Sequence, residues 1–287
     1  MISGRLAATT VHNTKKMWQL KKKWFTGVKN MTIVTPSEWL AGLARESYLK
    51  QYPIEVINNG IDLNAFKPTH SNFREQYGIP GDKYIVLGVS FGWGYRKGLD
   101  CFVEMAEKLG ERYQIVLVGT DNEIDKNLPQ SIISIHRTQN QKELAEIYSA
   151  ADVFAMPTRE ENYPTVNMEA IACGTPVVTF RTGGSPEMLD DKTGIVVEAN
   201  NIEATEKAIK DICEKKRCND EDYIVAYSKK FYRLYRIVCN CFRGIKNALR
   251  KKFHKQDDIY TSFPVFIKRI QSKQFDPCGS IYTCSDF

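Results

Sequence analysis

Between residues 84 and 199 the chain repeats one pattern: short, almost uninterrupted apolar runs alternate with amphipathic segments. The runs are YIVLGVS (84–90), YQIVLVG (113–119), IISIHR (132–137), DVFAMPT (152–158), PVVTF (176–180) and TGIVVEA (193–199). A strand with one wet face alternates apolar and polar residues. These runs are apolar at successive positions, so both of their faces must be buried. Helical periodicity fills the gaps at 100–111, 142–151, 165–174 and 202–215. Strands buried on both faces and separated by helices predict an α/β fold with a doubly wound parallel sheet, placed here at residues 63–212. Ahead of it, the sequence predicts strands at 31–35 and 54–60, a helix at 37–51 capped by Ser37, a loop at 58–68 and a short helix at 71–79 stopped by Gly78.

The 287 residues allow about two domains at ~150 residues each. No stretch reaches the ~20 apolar residues of a membrane-spanning helix, and the first residues lack the apolar core of a secretory signal. The expectation is a cytoplasmic protein whose eight cysteines are reduced thiols, since their spacings match no zinc ribbon. The charge is uneven. Residues 1–30 carry seven Lys/Arg and no acid, residues 31–212 carry 17 basic and 26 acidic residues, and residues 213–287 carry 16 and 8. An acidic central module argues against nucleic-acid binding, which places the basic excess on the folded body. A basic end suits anionic lipid headgroups or is simply solvated. A helix at 12–30, with Trp18, Phe25 and Val28 on an apolar face, is a candidate for peripheral contact with an anionic membrane; the alternative is a domain helix whose Lys stems cover apolar surface. The division expected is residues 1–62, 63–212, and a basic aromatic tail at 213–287.

In doubly wound sheets ligands bind beyond the carboxyl ends of the strands. The loops there are 91–98, 119–125, 136–141, 158–164 and 181–187. Tyr95-Arg96-Lys97-Gly98 places two cations and a glycine at a helix start, which suits a diphosphate. Glu161 lies in the loop after one strand, and Glu169 lies one turn into the following helix, seven residues between them. The start of that helix near Thr165 offers backbone N–H groups to a phosphate. Gly183-Gly184 is a candidate for close backbone approach to a ligand. Each element alone is also explained by an exposed loop or an ordinary turn.

Together the pieces resemble a known family. The string ADVFAMPTREENYPTVNMEAIACGTPVVTFRTGGSPEMLDDKTGIVV (151–197) is similar to the nucleotide-sugar half of family-four glycosyltransferases of the GT-B fold: an "AD-apolar-PS" strand, a Glu–seven residues–Glu element, "EA-x-A-x-G-x-PVV", "GG-x-x-E" and "tGxxV". Val56 to Pro68 resembles the family's hinge, and Arg96-Lys97-Gly98 its phosphate loop. The resemblance covers about residues 30–212. Phe91 and Gly92 stand where the family often has a glycine-arginine pair, so Arg96 is expected as the second cation. Only about 60 residues precede the hinge, room for a remnant of the acceptor-side Rossmann-like domain.

The resemblance implies a retaining, metal-independent transfer of a sugar from a UDP- or GDP-linked donor to a saccharide or lipid-linked acceptor in cell-surface polysaccharide biosynthesis. Lys97 and Arg96 would neutralise the diphosphate and Glu161 would contact the donor sugar. Glu169 would hold the ribose. Thr165, Val166, Tyr163, Gly119, Arg137, Gly183 and Gly184 would complete the donor site. The four histidines are scattered and no cluster has metal-ligand spacing, so neither metal nor cofactor is expected. A binding fragment without turnover is the alternative; an epimerase of the same fold is disfavoured by the Glu-to-Glu element.

Overall fold

A computed structural model describes residues 14–29, 31–215, 223 and 226–231. Six strands form the main sheet: β3 (Tyr84–Val89), β4 (Tyr113–Val118), β5 (Ile132–Ile135), β6 (Val153–Met156), β7 (Val177–Phe180) and β8 (Gly194–Val197). Every pairing is parallel, and the order across the sheet is β5-β4-β3-β6-β7-β8. The chain winds outward from β3 in one direction and from β6 in the other. The switch point therefore falls between β3 and β6, and a crevice opens there beyond their carboxyl ends.

The strands are apolar at successive positions because each face has its own core. Ile85, Leu87, Val116, Val118, Phe154 and Val177 lie in one cluster with Ile147, Tyr148, Met168 and Ile171. Val86, Ile115, Leu117, Val153, Ala155 and Val178 lie in the other with Phe102, Met105, Ile209 and Ile212. The first cluster is covered by α6 (Gln141–Ala150) and α7 (Thr165–Ala172), the second by α4 (Leu99–Lys108) and α8 (Ile202–Lys215). Short helices α3 (Phe73–Gln76) and α5 (Asn122–Asp125) complete the unit. Asp121 caps α5 and Asn140 caps α6, each side chain accepting first-turn N–H groups. Gly174, at φ 90, closes α7. Asp152, the acid of the "AD" pair, accepts the Ile85 N–H at 2.8 Å and pairs with Arg74 at 2.7 Å, which fixes the start of β3.

The preceding unit is small. Strands β1 (Ile33–Thr35) and β2 (Ile54–Val56) pair in parallel around α2 (Glu38–Glu46), with α1 (Thr14–Phe25) ahead of them. Among the described residues this sheet has two strands, and Val34 on β1 is half-exposed at 51%. α1 buries none of its residues. Trp18 and Val28 are exposed, Phe25 is partly covered and Trp24 is 58% exposed. The helix ends at Phe25, so Val28 falls outside it.

The predicted strands overrun the observed ones by one to three residues at most ends, because the terminal residues leave the ladder to form the crevice loops. The exception before the main sheet is 54–60, of which only Ile54–Val56 is strand. α5 was expected as loop. α8 continues past residue 212 to Lys215, and residues 226–231 are helical, with Phe231 in the first core cluster. The rest of the expected tail lies outside the described residues, as do residues 12 and 13 of the basic helix. Cys101, Cys173 and Cys213 are free and buried, and burial pushes all three thiols up, Cys101 to about 11. Among the described residues, no helix is long and apolar enough to cross a membrane.

Candidate active site

The loop after β3 and the loop after β6 meet over the switch point. Residues Tyr95–Lys97 form a single 3-10 turn. It ends at Gly98, whose φ of 76 and close approach to the Pro157 carbonyl leave no room for a Cβ, which would sit 2.2 Å from that oxygen. This contact turns Lys97 toward the second loop. Its Nζ lies 2.8 Å from Glu161 Oε2, with the Lys97 side chain 23% and the Glu161 side chain 9% exposed. The other carboxylate oxygen of Glu161 accepts the Asn162 N–H at 3.1 Å. Two groups 64 residues apart are thus brought together at the β3/β6 crevice. Arg96 is exposed beside them; its carbonyl accepts the Arg159 N–H and the Thr158 hydroxyl, and no side-chain bond of its guanidinium is seen among the described residues.

Pro164 precedes α7 and no side chain caps the helix, which starts at Thr165. Thr165 and Val166 are half-buried at its first turn, Val166 packed against the core. Glu169 is 6% exposed. Tyr148 Oη donates to Glu169 Oε2 at 3.1 Å, and the Thr165 side chain also hydrogen-bonds the carboxylate. Burial outweighs both bonds and pushes the Glu169 carboxyl up to about 7. The same neighbour raises Tyr148, whose ionisation burial already opposes. Glu169 is therefore not the exposed helix residue that spacing alone allows.

The other residues expected at the donor site lie as follows. Tyr163 is 5% exposed and belongs to the first core cluster; burial raises its phenol, and its carbonyl accepts Asn59 Nδ2 at 3.3 Å. Its ring packs in that cluster. Gly183, at φ 54, and Gly184 make their close approach to the Glu161 loop: a Cβ would meet the Glu161 carbonyl at 1.7 Å or the Asn162 carbonyl at 2.3 Å. The Gly184 N–H is donated to Asn162 O at 2.7 Å. Gly119 is required by the Ser90 carbonyl, 1.8 Å from its would-be Cβ, and its N–H bonds Ile135 O. Arg137 follows β5, two strands from β3, and is exposed.

Residues 70–231 match the family described as glycosyl transferases group 1. The chain belongs to that family. A curated relative of this group 1 glycosyltransferase domain is the GDP-mannose-dependent alpha-(1-6)-phosphatidylinositol monomannoside mannosyltransferase of Mycolicibacterium smegmatis, 32% identical over 181 residues, 55% of this chain and 47% of the relative. The chain spans between 37% and 47% of the lengths of the curated relatives it matches. Sucrose-phosphate synthase from Thermosynechococcus elongatus shares the fold at TM-score 0.70 and 22% identity, over 85% of this chain and 65% of that one. Anabaena HepE, solved in complex with UDP-glucose, does so at TM-score 0.66 and 16% identity, over 80% of this chain and 68% of that one.

Two residues of this glycosyltransferase domain carry geometry that sequence reasoning missed. Arg159 binds Asp100 with both ends of its guanidinium, at 2.8 and 2.7 Å. Glu187, the acid of the "GG-x-x-E" string, reaches the preceding unit: its carboxylate accepts the N–H groups of Glu38 and Trp39 at 2.9 and 2.8 Å, at the start of α2. An anion there satisfies otherwise orphaned donors and the helix dipole. Beside it Ser37 Oγ donates to Asn162 Oδ1 at 2.7 Å, and Asn58 Nδ2 donates to Pro36 O at 2.8 Å. The motif spacing marked Glu187 as special but carried no sign of its partner. Among the described residues no group of His, Cys, Asp or Glu is arranged to hold a metal ion.

Proposed function

We propose that this domain binds a nucleoside diphosphate sugar across the β3/β6 crevice and transfers the sugar, with retention of configuration, to a saccharide or lipid-linked saccharide acceptor. The observation that carries the reading is the Lys97–Glu161 pair at 2.8 Å over the switch point, beside the uncapped start of α7. A cation and a helix N-terminus suit a diphosphate, and a carboxylate suits sugar hydroxyls. Donor binding exchanges partners: the diphosphate takes Lys97, the sugar hydroxyls take Glu161, and Arg96 adds the second cation. Preorganised charges aimed at a leaving diphosphate contribute ~3–4 kcal/mol per well-placed donor. Glu169 accepts from the ribose, and the amides of Thr165 and Val166 face the phosphates. No metal or cofactor enters this scheme.

The relative named for GDP-mannose and the fold neighbour solved with UDP-glucose support a UDP- or GDP-linked donor. A cytoplasmic enzyme of surface-polysaccharide biosynthesis, resting peripherally on anionic lipid through α1, fits the five lysines of that helix and its exposed Met17, Trp18 and Trp24. Calorimetric titration with UDP, GDP and their sugar conjugates tests the donor site. Lys97→Ala should weaken the diphosphates by about 1.5–3 kcal/mol and leave uridine and guanosine unchanged. Equal losses for nucleoside and diphosphate refute the role of Lys97. A second reading is donor binding without turnover. Donor hydrolysis measured on the same samples separates the two: binding with no released sugar supports the second.

A further inference from the structure

Arg159 lies two residues before Glu161, yet its bonds all run to the other side of the crevice or to the loop beyond β8. Its backbone N–H donates to Arg96 O at 2.9 Å. Its Nη1 donates to Asp100 Oδ1 and to Tyr95 O, and its Nη2 to Asp100 Oδ2 and Cys101 Sγ. Its Nε donates to Asn200 Oδ1 at 2.6 Å. A guanidinium has five N–H donors, and these five partners engage all of them. The plane also lies 3.8 Å over the Tyr95 ring. Asn200 holds its end from the left-handed region, φ 65, the one such non-glycine residue among those described.

The groups bound are Tyr95, Arg96, Asp100 and Cys101, which bracket Lys97 on both sides. We propose that Arg159 is the positioning residue of the candidate diphosphate site: it locks the Lys97 turn against the Glu161 loop and touches no substrate itself. This rests on the reading of Lys97 as the diphosphate ligand. Because its donors are all engaged, Arg159 is not a further cation for the phosphates, and that role stays with Lys97 and Arg96. Lysine would not replace it, since an ammonium lacks the planar fork that spans both Asp100 oxygens and the Tyr95 carbonyl.

The test pairs binding with amide exchange. Arg159→Met and Arg159→Lys should each weaken UDP and GDP by about tenfold and leave uridine and guanosine unchanged, and in a Lys97→Ala background the same changes should cost less than about twofold. Asp100→Asn, which removes the other half of the clamp, should reproduce the pattern. In the absence of any nucleotide, Arg159→Met should speed amide exchange across residues 95–100 while leaving 113–118 protected. A full tenfold loss in the Lys97→Ala background overturns the proposal by showing direct contact with the ligand, as does full rescue by lysine. Unchanged exchange at 95–100 overturns it too. If the unaltered protein binds neither diphosphate, the donor-site reading fails, and the exchange measurement alone decides the clamp.

Discussion

Replacing Glu169 by glutamine should make the protein more stable at alkaline pH, and by an amount that the structure sets. The carboxyl is buried in a site whose two donors, Tyr148 and Thr165, do not compensate the lost hydration, so its value rises from 4.5 to about 7. In the window between those values the folded chain holds a proton that the unfolded chain has released. Stability therefore falls as pH rises from about 4.5 through about 7, the sense expected of a raised carboxylate. Linkage over that interval amounts to about 2 to 3 kcal/mol between pH 5 and pH 8. Glutamine keeps an oxygen to accept from Tyr148 and carries no charge, so the variant escapes the penalty. Urea unfolding of Glu169→Gln and the unaltered protein, at pH 5 and pH 8, measures it. The two should be nearly equal at pH 5, and the variant ahead by about 2 to 3 kcal/mol at pH 8. A stability difference that stays constant from pH 5 to pH 8 would refute the reasoning, because a constant difference means that the carboxyl titrates alike in both states.

Other consequences are as direct. Glu161→Gln should spare UDP and GDP and weaken only their sugar conjugates, by about 1.5–3 kcal/mol; equal weakening of both classes in calorimetry removes Glu161 from the sugar. Gly183→Ala forces a Cβ to 1.7 Å from the Glu161 carbonyl at φ 54, so it should cost about 2 to 4 kcal/mol in urea unfolding; a neutral result would mean that the two loops part freely. EDTA should leave donor affinity unchanged, because Lys97 and Arg96 supply the positive charge in the proposed site; loss of binding that magnesium or manganese restores would contradict that assignment.

The strands were legible because each is apolar at nearly every position, as a sheet covered on both faces demands. The loops beyond the carboxyl ends followed from the same pattern; the order that puts the switch point between β3 and β6 did not, since apolar runs do not say which strands pair. Lys97 and Glu161 were found because each sits in such a loop in a recognisable spacing. Arg159 was not, because its meaning lies in Asp100, 59 residues away, and a lone arginine in a polar loop looks solvated. The glycines are a different case. Glycine in a loop signals close approach, but the sequence does not say to what; at 98, 119, 183 and 184 the approaching group is another stretch of backbone. Nor does the sequence show that the Tyr163 ring turns into the core, since it stands in a polar loop. α5 escaped notice because four residues show no periodicity.

The bonds between Ser37 and Asn162, and between Asn59 and Tyr163, give the junction of the two units an unusual property. They end on the residues that immediately follow Glu161. The small unit and the Glu161 loop are therefore geared: the first cannot tilt about residues 57–60 without tugging on the second. Gearing works in both directions with equal free energy. Whatever fills the crevice and steadies Glu161 must, by the same bonds, bias the tilt of α2, and whatever grips that helix must retune the crevice.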